Sequence, residues 1–294
     1  MHWLTDPWNG YEFFRNGLLA GVLGGALCGF VGVYIVLRRM SYIGHGLAHA
    51  VLGGAAVSLA AGFNVFVGAG AWGVLTATLI NGVSRRRKIG ADAAIGVITT
   101  ASFALGVIII SRGNASVSLD SLLFGDILGI TRGQVWILAG VSAAIAGAVF
   151  LRFRQLLFAT FDPEASDAYG VSSRWADTLF AVIVAATIVA TMRILGVLLI
   201  AATTVVPAVI ARLLTDSFAK MLLISTLLGA AVGAAGMYVS YWENVAPGPA
   251  IVLILAAVFA VVYVVTGITS RRRLQVLDGL EGHADAEVGG VELD

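Results

Sequence analysis

The 294-residue chain holds one cysteine, four histidines and five prolines, and only 12% of its residues are charged. Each shortage excludes something. The lone Cys28 rules out a disulfide framework and says nothing of the redox compartment. So few charges cannot cover a soluble globule of this size, because 59% of the side chains are hydrophobic and mean hydropathy is +0.94. No Gly-x-x-x-x-Gly-Lys-Ser/Thr loop occurs, so any nucleotide-driven work must come from a partner. A net charge of +1, without a basic helix or aromatic-basic interleaving, gives no nucleic-acid footprint. The first residues carry Asp6, Glu12 and Arg15 but no basic stretch ahead of the apolar run, so no cleavable signal is expected.

Long apolar runs are what the chain has. Each is close to the roughly 20 residues an α-helix needs to cross the hydrocarbon core. They predict an all-α integral membrane protein, a polytopic bundle of about nine helices with eight as the alternative count. The runs lie near 17–37, 42–61, 64–83, 92–111, 133–151, 175–192, 194–214, 221–241 and 250–268. Nine crossings place the termini on opposite sides. With the amino terminus outside, 14 lysines and arginines fall in the cytoplasm and 4 outside (Arg15, Arg112, Arg132 and Arg193), the bias expected of a plasma or inner membrane protein. The predicted organisation is an external segment 1–16, a transmembrane domain 17–270 and an acidic cytoplasmic tail 271–294, solvated and disordered, whose His283 is read as bland.

Polar groups inside such a chain are informative. His45 and His49 lie four apart, on one face of the second span, and His49 is on the order of 12 Å from Ser41 along the helix axis. A neutral pair bonded to backbone carbonyls is the bland reading; two imidazoles on one face point instead to a cation site. Imidazole suits zinc, iron, nickel or copper, whereas manganese usually takes some carboxylate oxygen. Two ligands are too few for a closed site, but a symmetric dimer with this helix near its axis would supply four. His45-Gly46-Leu47-Ala48-His49 has no glutamate after the first histidine, which excludes the helical metalloprotease signature, and four histidines are too few for a multi-histidine di-iron oxygenase. No enzyme is expected.

Further features carry two readings each. Gly21, Gly25 and Gly29, with Gly229, Gly233 and Gly236, form small-residue stripes that suit tight helix packing more than a sliding interface. The stretch 117–130 has helical spacing, is too short to span, and is expected to lie at or dip into the outer face, with Ser118, Asp120 and Asp126 as caps rather than ligands. Pro207, following Thr203 and Thr204, predicts a kink or unwound turn that would be a pathway element or a kink whose freed carbonyl a threonine satisfies. Asp162-Pro163-Glu164 through Asp167 to Gly170 reads as a short capped helix near 161–171, a docking knob or a mere connector. Asp92 and Asp177, at cytoplasmic ends of spans, are expected to cap.

Taken in order, several fragments resemble the permease subunits of binding-protein-dependent ABC importers for manganese, zinc and iron. They are Leu37-Arg38-Arg39-Met40-Ser41, Ala48-His49-Ala50, Ala94-Ile95-Gly96, Leu123-Phe124-Gly125-Asp126-Ile127-Leu128, Phe161-Asp162-Pro163-Glu164, Gly196-Val197-Leu198-Leu199 with Pro207 and Ala211-Arg212-Leu213-Leu214, and Gly248-Pro249-Ala250-Ile251-Val252. The resemblance implies a homodimeric or closely paired permease, two cytoplasmic ATPase subunits and an extracytoplasmic metal-binding protein. It implies no permanently bound cofactor, only a transported divalent metal. It makes Asp162, Pro163, Glu164 and Asp167 the ATPase-coupling helix. The family's membrane metal site resembles an aspartate followed four residues later by a histidine; here His49 keeps the histidine and His45 replaces the aspartate, which moves the expectation from manganese towards zinc. A proton-driven metal carrier and an ABC permease for a chelate such as a siderophore are the alternatives.

Overall fold

The computed structural model of the chain describes residues 11–84, 91–112, 123–161 and 173–289. Among the described residues the regular structure is entirely helical: α1 Glu12–Leu37, α2 Ser41–Ala60, α3 Val65–Ser84, α4 Ala91–Arg112, α5 Arg132–Leu151, α6 Phe153–Phe161, α7 Ser173–Leu195, α8 Val197–Leu214, α9 Phe218–Glu243 and α10 Pro247–Gly289. Eight are long and apolar enough to cross a membrane, and α3 adds a shorter apolar stretch, Val65–Ile80. In lipid a helix satisfies its own backbone groups, which is why each apolar run takes this form.

The nine predicted runs each coincide with a helix, with corrections at the ends. α1 starts at Glu12, not 17, so part of the expected external segment is helical. α6 is an extra helix of nine residues after α5. α10 continues past the membrane run to Gly289, where a disordered tail was expected; its Leu, Gln, Glu and Ala residues are good helix formers. Residues 123–124 are helical and 125–131 are irregular where helix was expected; Gly129 N donates to Asp126 Oδ1 (3.0 Å), so Asp126 closes a turn rather than capping a helix. Ser118 and Asp120 lie outside the described residues.

α1 is the hub of the bundle, packing most heavily on α9 and also on α8, α7 and α5, while α2 lies between α3 and α4. The glycine stripes face each other. A Cβ on Gly25 would strike the Gly229 carbonyl oxygen, one on Gly229 would strike that of Gly25, and Gly21 and Gly29 stand likewise against Gly233 and Ser225. Ser225 Oγ donates to the Gly29 carbonyl at 2.6 Å. This is close backbone packing, the plainer of the two readings.

α7 and α8 are joined by Gly196 alone (φ +77°), which backs onto Gly125 (φ +79°). Each occupies the space a side chain on the other would need, and Asp126 N donates to the Arg193 carbonyl at 2.8 Å, tying the 123–126 segment to this turn. The break between spans therefore falls at Gly196, not near Arg193. α8 runs through the buried Pro207 without an unwound turn, so of the two expected outcomes the unwound turn does not occur. Thr203 and Thr204 donate back to the carbonyls of Leu199 and Ile200, and packing of Gly32 against the Thr204 carbonyl holds α8 on α1.

A candidate metal site between α2 and α4

α1 ends in a turn that aims α2. Met40 N donates to the Ile35 carbonyl (3.1 Å) and Arg39 N to that of Val36 (3.0 Å), with Arg39 in the left-handed conformation (φ +56°). This is the Schellman pattern that satisfies the last carbonyls of a helix. α2 begins directly beyond it, and His45 and His49 come one and two turns later on the face towards α4.

Close approach of the two helices builds the cleft. A Cβ on Gly46 would stand 2.6 Å from Ile95 Cγ2 and 2.8 Å from Thr99 Cγ2, so only glycine admits α4 at this distance. One turn further from the histidines Gly53 meets Ser102 and Gly106 in the same way. The resulting cleft holds about 530 Å³ and is lined by Tyr42, His45, His49, Thr99, Thr100 and Phe103 among others.

His45 is exposed to the cleft and His49 is half-buried. Their Nε2 atoms lie 3.2 Å apart and the rings are nearly perpendicular, at 84°. In the metal-free pair one Nε2–H donates to the other ring nitrogen. Two nitrogens bound to one tetrahedral ion at about 2.0–2.1 Å stand about 3.3 Å apart, so the pair already has the bite of a bidentate cation ligand. Adjacent positions of an octahedral ion are similarly spaced, so the groups filling the remaining positions decide the metal.

The site is open by composition. No group of three or more His, Cys, Asp or Glu residues able to share a metal occurs among the described residues. The His49 ring packs edge-on against Phe103, with centroids 5.0 Å apart, and its buried Nδ1 has no hydrogen-bond partner among them. Sequence reading found both histidines but missed α4's contribution from Thr99, Thr100 and Phe103. The available signal was Gly46 and Gly53, seven apart on the histidine-bearing helix.

Other expected site residues lie elsewhere. Thr203, Thr204 and Pro207 are buried between α8 and α1, near Cys28, and do not line the histidine cleft. Asp162, Pro163, Glu164 and Asp167 fall outside the described residues. The helices flanking that segment are held by one side chain that sequence reasoning missed. Arg38 Nη1 donates to Asp177 Oδ1 at 2.9 Å, its Nε donates to Thr160 Oγ1 at 3.1 Å, and the guanidinium lies 4.4 Å from the centre of the Phe180 ring. Burial pulls the Arg38 guanidinium below the usual arginine range, partly offset by Asp177 and Tyr34. Asp177 thus pairs with Arg38. The Asp92 side chain lies outside the described residues.

A family model described as the ABC 3 transport family matches residues 10–266. The chain is 33% identical over 253 residues to the manganese transport system membrane protein MntC of Listeria monocytogenes, covering 86% of this chain and 90% of the relative. It is 36% identical over 251 residues to the manganese import system permease protein ScaB of Streptococcus gordonii, covering 85% and 90%. Among solved structures, PsaBC from Streptococcus pneumoniae in complex with Fab superposes with a TM-score of 0.82 at 34% identity, over 89% of this chain and 94% of that one.

Proposed function

The chain belongs to the ABC 3 transport family, and on that premise we propose that it is the permease subunit of an ATP-driven importer of a divalent transition metal, with His45 and His49 as the metal's stopping point in the membrane. The observation that carries the reading is the 3.2 Å spacing of two Nε2 atoms in a cleft between two membrane helices. The metal replaces the histidine–histidine hydrogen bond. Its remaining ligands come from a second copy of the chain, from water or from the protein that delivers it.

The relatives named for manganese make manganese the first cargo to test. The nitrogen-only pair argues for zinc, because it lacks the carboxylate oxygen that manganese prefers. ATP hydrolysis belongs to a separate cytoplasmic ATPase docked on the segment near 161–171. The Arg38 bridge to Thr160 and Asp177 supports that role, since it ties both flanks of the segment to the turn that leads into α2. The binding protein docks at the opposite end. The 14-to-4 distribution of basic residues supports an amino terminus outside and a cytoplasmic carboxyl terminus in the plasma or inner membrane.

A proton-driven carrier is less well supported. Asp177, weighed at the cytoplasmic end of a span as a proton-coupling acid, is engaged by Arg38. Uptake of radioactive manganese and zinc by cells lacking their own copy decides the site: the double change His45→Ala and His49→Ala, inserted normally, should abolish uptake of the cargo. Undiminished uptake by that variant overturns the site.

A further inference from the structure

A second cavity, of about 500 Å³, lies between α3, α5 and α7 at the end of the bundle away from Arg38. Its walls are apolar, including Val67, Ile137, Val141 and Ala186, and Val67 and Ile137 are 70% and 66% exposed. From Gln134 to Val141, and from Arg193 to Ala186, it descends about 10 Å along the helices. Polar groups are confined to one rim: Asn64, Gln134 and Arg193.

The rim's acceptors are already spent. Asn64 Oδ1 accepts from the backbone N–H groups of Phe66 (3.0 Å) and Val67 (3.4 Å), and Gln134 Oε1 accepts from Thr131 N (3.0 Å), each capping a helix. What each amide has left is its NH2, a donor. Arg193 can only donate, and it has no ion pair among the described residues. No carboxylate lines the groove. A cationic, donor-only rim above an apolar trough in a membrane helix bundle matches an anion carrying a hydrocarbon chain.

We propose that this groove is a binding site for an anionic phospholipid, its phosphate on Arg193, Gln134 and Asn64 and an acyl chain along α5 and α7. A free phosphate would use the rim and leave the trough unfilled. A zwitterionic lipid would bring its own cation to a rim with no acceptor for it.

Native mass spectrometry of the purified full-length chain, titrated separately with phosphatidylglycerol, phosphatidylcholine and inorganic phosphate, tests this. Wild type should bind phosphatidylglycerol about tenfold better than phosphatidylcholine, the scale of one charge-assisted hydrogen bond. Arg193→Gln, at an exposed side chain, should erase that preference. Gly70→Trp, confirmed to insert and fold normally, should weaken both lipids; Gly70 lines the groove and a Cβ there meets no atom within 4 Å, so a side chain can start at this point without striking a neighbouring helix. Equal binding of the two lipids by wild type, a preference that survives Arg193→Gln, or unchanged lipid binding in Gly70→Trp would overturn the proposal. Displacement of phosphatidylglycerol by phosphate alone would also overturn it, marking an anion site only, as would occlusion of the groove by a second copy of the chain.

Discussion

At the scale of single residues, the proposed choice of metal turns on His45. Two imidazoles supply nitrogen only, and restoring a carboxylate changes the donor set without moving the helix. His45→Asp should raise manganese uptake relative to zinc by roughly tenfold, about 1.4 kcal/mol of relative affinity, read as the ratio of the two isotopes taken up by the same cells. Acidification should lower wild-type uptake, since protons and metal compete for the same ring nitrogens. The His45→Asp variant should lose less of it. Equal acid sensitivity in both would place the titrating group elsewhere. Arg38 is the other informative residue. Its side chain is 6% exposed and Asp177 33%, so Arg38→Ala removes the ion pair to Asp177 and the hydrogen bond to Thr160. A loss of about 3 kcal/mol is expected, measured by thermal unfolding in detergent, with Arg38→Lys recovering only part because one ammonium cannot span both partners.

At the scale of helices, backbone contact rather than side-chain interdigitation decides the α1–α9 pair. Where a side chain would meet a carbonyl oxygen of the facing helix, neither backbone can yield. Gly25→Leu or Gly229→Leu should therefore lower thermal stability by more than about 3 kcal/mol, beyond ordinary overpacking. Gly140→Leu, where a Cβ meets nothing within 4 Å, should leave it within about 0.5 kcal/mol. Comparable melting temperatures for Gly25→Leu and wild type would contradict the packing described for these stripes. Pro207 teaches the converse. Local sequence predicts a kink or an unwound turn, and one lost hydrogen bond does not unwind a helix whose neighbours hold it on both sides of the lesion.

At the scale of the molecule, the helices form one bundle in which the histidine cleft and the Arg38 cluster lie on successive stretches of chain, joined by the turn at Arg39. The described ends of α6 and α7, at Thr160 and Asp177, are therefore tied through Arg38 to the turn that leads into α2. With the ATPase present, replacing Asp162 and Glu164 by lysine should cut transport severely while leaving the permease folded and inserted. Retained transport would remove that segment from the coupling role. A reporter fused to the carboxyl terminus should be active only on the cytoplasmic side under the proposed topology of nine crossings, which the basic-residue distribution supports; activity on the outer side would overturn that topology.

The sequence alone determined the class of the protein, its nine apolar runs and the histidine pair. Lipid imposes a length and an apolar composition on every crossing, and a helix imposes the spacing that puts His45 and His49 on one face; both rules are local. Residues far apart in the chain obey no such rule. Arg38 with Asp177 is separated by 139 positions, Gly25 with Gly229 by most of the chain, and the cleft needs α4 beside α2. Only the tertiary structure decided these, because which helix lies against which depends on complementary surfaces that no single stretch of sequence contains.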